Sequence, residues 1–167
     1  MEITVRYAER AELPRVNELR KMVSELHANG RPDIFRPGFC AELQEHVYQK
    51  FDSDAADVIV ALADGVVCGF AIAEYIDRPE TPYNCARRFY HIEEFGVDAS
   101  CRRKGVATAL ISFCRQEAAR MRFDRIELDV WSFNEEALKF YEAVGFQTYR
   151  RLMDLPVAQG GASDTQA

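Results

Sequence analysis

A single α/β domain, a mixed β-sheet with helices on both faces, is the fold class that these 167 residues predict. Three observations point to it. Segments of apolar–polar alternation and short β-branched runs are interleaved with segments whose apolar residues recur at helical spacing. Asp64-Gly65 lies between two apolar runs, and this dipeptide favours a tight hairpin, hence antiparallel neighbours. Across residues 89–130 the order is strand, helix, strand, a crossover that brings two strands together in parallel.

The elements follow in order. Ile3, Val5 and Tyr7 alternate with polar residues and predict a first strand. Leu13, Val16, Leu19, Val23 and Leu26 predict a helix, with Pro14 tolerated only in its first turn and Asn29-Gly30 and Pro32 ending it. A loop over residues 31–38 leads to a second helix, residues 41–51. Residues 58–62 and 66–75 are the hairpin strands. Residues 76–87, with Pro79 and Pro82, are a loop. A strand over 89–97, a helix over 105–122, a strand over 126–130 and a helix over 134–144 follow, the last stopped by Gly145. A final strand is expected over 146–155. The small polar residues from 156 to 167 are expected to be a disordered tail, so the domain is taken as residues 1–155.

Composition narrows the function. A chain of this length buries roughly 68–70% of its unfolded surface and needs no staples. The five cysteines form no C-x-x-C pair and the three histidines show no ligand spacing, so free thiols in a reducing compartment and no metal site are expected. No apolar run approaches the ~18 residues of a membrane span and the N-terminus lacks a signal-peptide pattern, which predicts a soluble, cytoplasmic protein without a membrane partner. A net charge of −6 argues against nucleic acid as a partner.

Residues 97–107 (VDASCRRKGVA) carry the most chemistry. An apolar strand ends there and a helical pattern begins. Between them stand Arg102, Arg103, Lys104 and Gly105. Cations beside the unpaired N–H groups of a helix start suit a phosphate, and Gly105, without a Cβ, admits a close ligand. The P-loop pattern G-x-x-x-x-G-K-[ST] and the dinucleotide pattern G-x-G-x-x-G are both absent.

Arg102-x-x-Gly105-x-Ala107 after a strand ending in Val97 resembles the acyl-CoA loop of the GCN5-related N-acetyltransferases. Asn134, Ala137, Tyr141 and Gly145-Phe146 resemble that family's second motif, N-x-x-A-x-x-x-Y-x-x-x-G-F. Both motifs occur in order with a strand between them, and the resemblance covers residues 2–155. It implies the acyl-CoA N-acyltransferase fold and acetyl transfer from acetyl-CoA, as cosubstrate, to a primary amine. It assigns the pyrophosphate to the backbone N–H groups of Arg102, Arg103, Lys104, Gly105, Val106 and Ala107, with the side chains of Arg102, Arg103 and Lys104 adding charge to the pyrophosphate or to the ribose phosphate, and the pantetheine arm to the backbone of Phe95, Gly96 and Val97, where Gly96 permits close approach. Asn134 contacts the cofactor or is a plain helix cap, or both.

The chemistry needs two proton-handling groups. An aliphatic amine has a pKa of about 10 and arrives protonated; the departing thiolate must gain a proton. Tyr141 matches the family's tyrosine and is the acid candidate, although Ala137, Tyr141 and Val144 share a helical face and also read as core. Two acids inside an apolar strand need a reason, and some family members carry a base at the position of Glu93. Alternation puts Glu93 on one face with His91 and Phe95 and leaves Glu94 in reserve on the other; a bulge near Gly96 reverses this. The sheet is expected to splay where this strand parts from residues 126–130. Trp131, Tyr83, Phe35 and Tyr75 are weaker candidates around the acceptor. The acceptor is read as a small-molecule amine, because no extended docking stripe is evident; a peptide or protein acceptor, or a non-catalytic acyl-CoA-binding module, are the alternatives. A homodimer is compatible with the resemblance.

Overall fold

In the computed structural model, residues 1–157 are described; from residue 158 the expected tail lies outside them. The chain runs β1 (Ile3–Tyr7), α1 (Leu13–Gly30), α2 (Ala41–Phe51), β2 (Ala56–Ala63), β3 (Val66–Arg78), β4 (Arg87–Val97), α3 (Val106–Arg120), β5 (Arg125–Leu128) and α4 (Glu135–Ala143), with 3-10 turns before α1 and after β4. The sheet order is β1-β2-β3-β4-β5. The first three pairings are antiparallel and β4–β5 is parallel, as the crossover required.

Each helix lies where its apolar stripe dictates. Leu13, Val16 and Leu19 of α1 and Val47 of α2 are buried against Val60, Phe70 and Ile72 on one face of the sheet. Val106, Leu110, Ile111, Cys114 and Ala118 of α3 bury against Ala61, Ala71, Tyr90 and Ile92 on the other. Tyr141 of α4 packs on this second cluster. Asp64 and Gly65 both take positive φ (48° and 83°), the type I′ geometry that joins β2 to β3. Among the described residues no helix is long and apolar enough to cross a membrane.

The expected final strand, residues 146–155, does not form. Its alternation lacks a backbone partner: the segment touches its neighbours through side chains, Tyr149 Oη donating to Glu127 (2.9 Å) and Arg31 to Asp154 (3.1 Å). Leu152 and Leu155 stay 98% and 86% exposed.

Asp57 at the start of β2 is buried and accepts hydrogen bonds from Tyr75 (2.7 Å) and Tyr90 (2.6 Å). Burial, then the bond to the carboxylate, pushes both phenols up. Tyr75 therefore belongs to the α3 face of the sheet rather than to an acceptor site. Asp57→Ala should leave two buried hydroxyls without their acceptor, at about 1–3 kcal/mol each. A urea midpoint that falls by the equivalent of about 3 kcal/mol is expected; an unchanged midpoint would show that water replaces the carboxylate.

Candidate active site

The turn after β4 is held rigidly at its entrance. Asp98 caps the 3-10 turn Ala99–Cys101, accepting from the Ser100 amide (2.9 Å) and hydroxyl (2.7 Å) and from Arg15 of α1 (2.6 Å). These partners, Ser100 before Arg15, draw its carboxyl down to about 2. The Asp98 amide donates to the Cys68 carbonyl of β3 (2.7 Å). Beyond this anchor Arg102, Arg103, Lys104 and Gly105 are exposed, and Val106 is buried and pins the start of α3. Arg102 reaches back to the Val97 carbonyl (3.4 Å) and Lys104 to the Ser100 carbonyl (2.8 Å), so these two side chains brace the turn.

Gly105 is the N-cap of α3 with φ +88°. A Cβ there would find its nearest neighbour, Ile3 Cδ1, at 3.8 Å. Glycine is needed at this position for its left-handed conformation, not for lack of room. That conformation turns the chain so that the last bond before the helix is Arg102 N–H to Ala99 O (3.4 Å) and the first of the helix is Ala109 N–H to Gly105 O (2.9 Å). Among the described residues the N–H groups of residues 103–108 meet no acceptor with hydrogen-bond geometry. Consecutive unpaired donors at a positive helix end make an anion site, and they fit a diphosphate. Asn134 caps α4, its side chain accepting from the Ala137 amide (3.2 Å).

The sheet parts beside this turn. Pairing of β4 with β5 ends at Ile92–Leu128, while β4 stays paired with β3 as far as Val97–Gly69. The edge of β4 over residues 93–97 therefore has no strand beside it. The register shifts here: Ile72 pairs with Glu94 and Ala73 with Ile92, so Glu93 is an inserted residue, a β-bulge. The bulge corrects the expectation from simple alternation. Phe95 and Val97 pack with Tyr90 and Ile92 on the α3 face, whereas Glu93 and Glu94 both turn to the α1–α2 face and meet His46, Lys50 and Arg20. Gly96 is explained by the same face. A Cβ would lie 2.8 Å from the Phe70 ring and 2.9 Å from Val23 of α1, so its missing side chain makes room for these two residues.

The two acids have different surroundings. Glu94 is gripped by two nitrogens of the Arg20 guanidinium, Nε at 2.8 Å and Nη2 at 2.6 Å, and Arg20 is only 3% exposed. Glu93 meets His46 (3.1 Å) through one oxygen and Lys50 (3.1 Å) through the other. Sequence reasoning missed Arg20, His46 and Lys50. Arg20 left a trace: a charged residue on the buried stripe of α1 calls for a buried partner. Lys50 left none.

Tyr141 stands on the opposite face. It packs against Phe95, Phe140 and Phe146, with ring centroids 6.1, 5.4 and 5.5 Å away. Burial pushes its phenol up to about 12, and its hydroxyl has no hydrogen-bond partner among the described residues. On the Glu94 side, His27 stacks on Phe35 (5.1 Å), Phe35 meets Trp131 edge-on (5.0 Å) and Trp131 stacks on Phe133 (6.2 Å). The loop after α1 and the segment after β5 thus build one aromatic wall. Tyr83, 94% exposed, stands apart from it.

A parted sheet edge running into a run of unpaired amides offers room and donors for an extended, anionic molecule. Comparison with known proteins makes the class specific. The chain matches the acetyltransferase (GNAT) family over residues 22–146, and it belongs to that family. It is an acetyl-CoA-dependent N-acetyltransferase. It is 30% identical over 159 residues to the L-amino acid N-acetyltransferase AaaT of Escherichia coli (strain K12), covering 87% of this chain and 83% of that protein. Among solved structures it is similar to a tetramutant of BH1408 from Bacillus halodurans (TM-score 0.88, 24% identity, 92% of this chain and 99% of that one). It is also similar to AAC(6')-Iy in complex with a bisubstrate analogue, CoA-S-monomethyl-acetylneamine (TM-score 0.74, 21% identity, 95% and 100%).

Proposed function

We propose that residues 1–155 move the acetyl group of acetyl-CoA to a primary amine of a small molecule by direct attack within a ternary complex. The observation that carries this reading is the placement of Glu93 and Tyr141 on opposite faces of β4 where β5 leaves it. Amides 103–108 hold the diphosphate, with Arg102, Arg103 and Lys104 adding charge around Gly105, Val106 and Ala107. The open edge at Phe95, Gly96 and Val97 pairs with the pantetheine arm, and Asn134 fixes the start of α4 beside it. The Glu93 carboxylate takes a proton from the acceptor ammonium. The freed amine forms a bond to the thioester carbonyl carbon, the carbon–sulfur bond breaks, the Tyr141 hydroxyl gives its proton to the leaving thiolate, and the proton shed by the new amide nitrogen returns to the Tyr141 phenolate. Glu94, held in reserve on sequence grounds, is committed to Arg20 and leaves the base to Glu93. A small acceptor agrees with the amino-acid acceptor named for the Escherichia coli relative and with the aromatic wall, which offers faces to a cation.

Calorimetry with acetyl-CoA and thiol release across a panel of amines, amino acids and peptides test the reading. Binding without turnover on any acceptor would mark a non-catalytic module, and turnover on peptides alone would replace the small molecule. Tyr141→Phe should lower kcat by about 10²-fold and leave the affinity for acetyl-CoA unchanged. A variant with full rate would remove the phenol from the chemistry.

A further inference from the structure

Glu93 is not a free carboxylate, and what restrains it comes from one helix. His46 and Lys50 stand one turn apart on α2 and meet its two oxygens separately: His46 Nε2 lies 3.1 Å from Oε1, Lys50 Nζ 3.1 Å from Oε2. Lys50 is shared. It also makes a close ion pair with Glu74 of β3, whose other oxygen lies 3.5 Å from His91 Nδ1. The Lys50 side chain is only 16% exposed, against 28% for Glu93 and 29% for Glu74. Such a pair feels less screening than a surface contact. The remaining charged groups are accounted for. On β4, Glu94 is held by Arg20 of α1 and lies 3.9 Å from His46. His91 faces Asp129 beyond β5 at 3.7 Å. His27 of α1 feels Glu94. One ammonium thus serves two carboxylates, one of them at the point where the strands part.

We propose that Lys50 is a positioning residue for the reaction: it aims the Glu93 carboxylate and sets how readily that carboxylate takes a proton, and Glu74 moderates this pull by sharing the ammonium. The inference rests on Glu93 being the base. The physical sign is fixed. A cation beside a carboxylate stabilises its ionised form, and a neighbouring anion opposes it. Removing Lys50 withdraws that stabilisation from Glu93; removing the Glu74 charge leaves the ammonium to Glu93 alone.

The experiment is the pH dependence of the single-turnover rate of acetyl transfer for the unmodified protein and for Lys50→Met, Lys50→Arg, Glu74→Gln and Glu93→Gln. Acetyl-CoA affinity and urea midpoints are measured alongside. Lys50→Met should move the acid limb up by about one pH unit, Glu74→Gln should move it down, and Lys50→Arg should return it toward the unmodified position. Should Lys50→Met not fold, a limb that moves down in Glu74→Gln and stays in place in Lys50→Arg still decides. Loss of rate with the limb unmoved in both the Lys50 and Glu74 variants, or displaced in the same direction, overturns the proposal. Glu93→Gln separates the two failures: if it keeps the full rate, the base assignment itself is wrong, whereas a crippled Glu93→Gln with unmoved limbs elsewhere removes only the role of Lys50.

Discussion

Gly105→Glu is expected to lower the affinity for acetyl-CoA by about 10²-fold or more, read by calorimetry. Two effects add. The residue holds φ +88°, and a side chain in the left-handed region costs roughly 1–2 kcal/mol. Each 1.4 kcal/mol is tenfold in affinity if the turn relaxes away from its binding shape. The glutamate then adds an anion to the ring of unpaired amides where a diphosphate would sit, competing for the donors and repelling the ligand. Gly105→Ala divides these terms. Its Cβ meets nothing closer than 3.8 Å, so any loss it shows is conformational, about tenfold. A glutamate variant that binds as the unmodified protein does would place the diphosphate elsewhere.

Glu93→Gln should depress kcat by about 10²- to 10⁴-fold, the range of a lost general base. Its deficit should be smallest at high pH, where the acceptor amine is already deprotonated and needs no base. Acetyl-CoA affinity should not change, because the substitution is nearly isosteric and lies on the α1–α2 face, away from amides 103–108. A pH profile that superimposes on that of the unmodified protein would move the proton to a water chain. Glu94 is a poor replacement. Its carboxylate satisfies a guanidinium that is 3% exposed, and breaking a buried pair from one side is strongly destabilising.

The sequence showed the elements more faithfully than the arrangement of side chains around them. Helical spacing from Leu13, the Asp64-Gly65 turn and the crossover over residues 89–130 are local or near-local signals, and the structure agrees with all three. The strand expected over 146–155 failed because a strand is stable only when another backbone supplies its hydrogen bonds, and alternation does not report whether one is in reach. At Glu93 the period of two breaks. A bulge inserts one residue and carries Phe95 and Val97 to the other face, and Gly96 makes room for Phe70 and Val23.

What the sequence settled by itself is the order of the elements as far as α4 and the cationic turn before α3, because a strand end, a cluster of cations and a glycine at a helix start are contiguous in the chain and act over a few residues. Only the tertiary structure decided which partners each carboxylate meets. Arg20 lies 74 residues from Glu94, and Lys50 reaches Glu93 from a separate helix while also holding Glu74 of β3. An ion pair over such separations depends on how α1 and α2 lie across the sheet, a sum of many apolar contacts to which no single residue type gives the key.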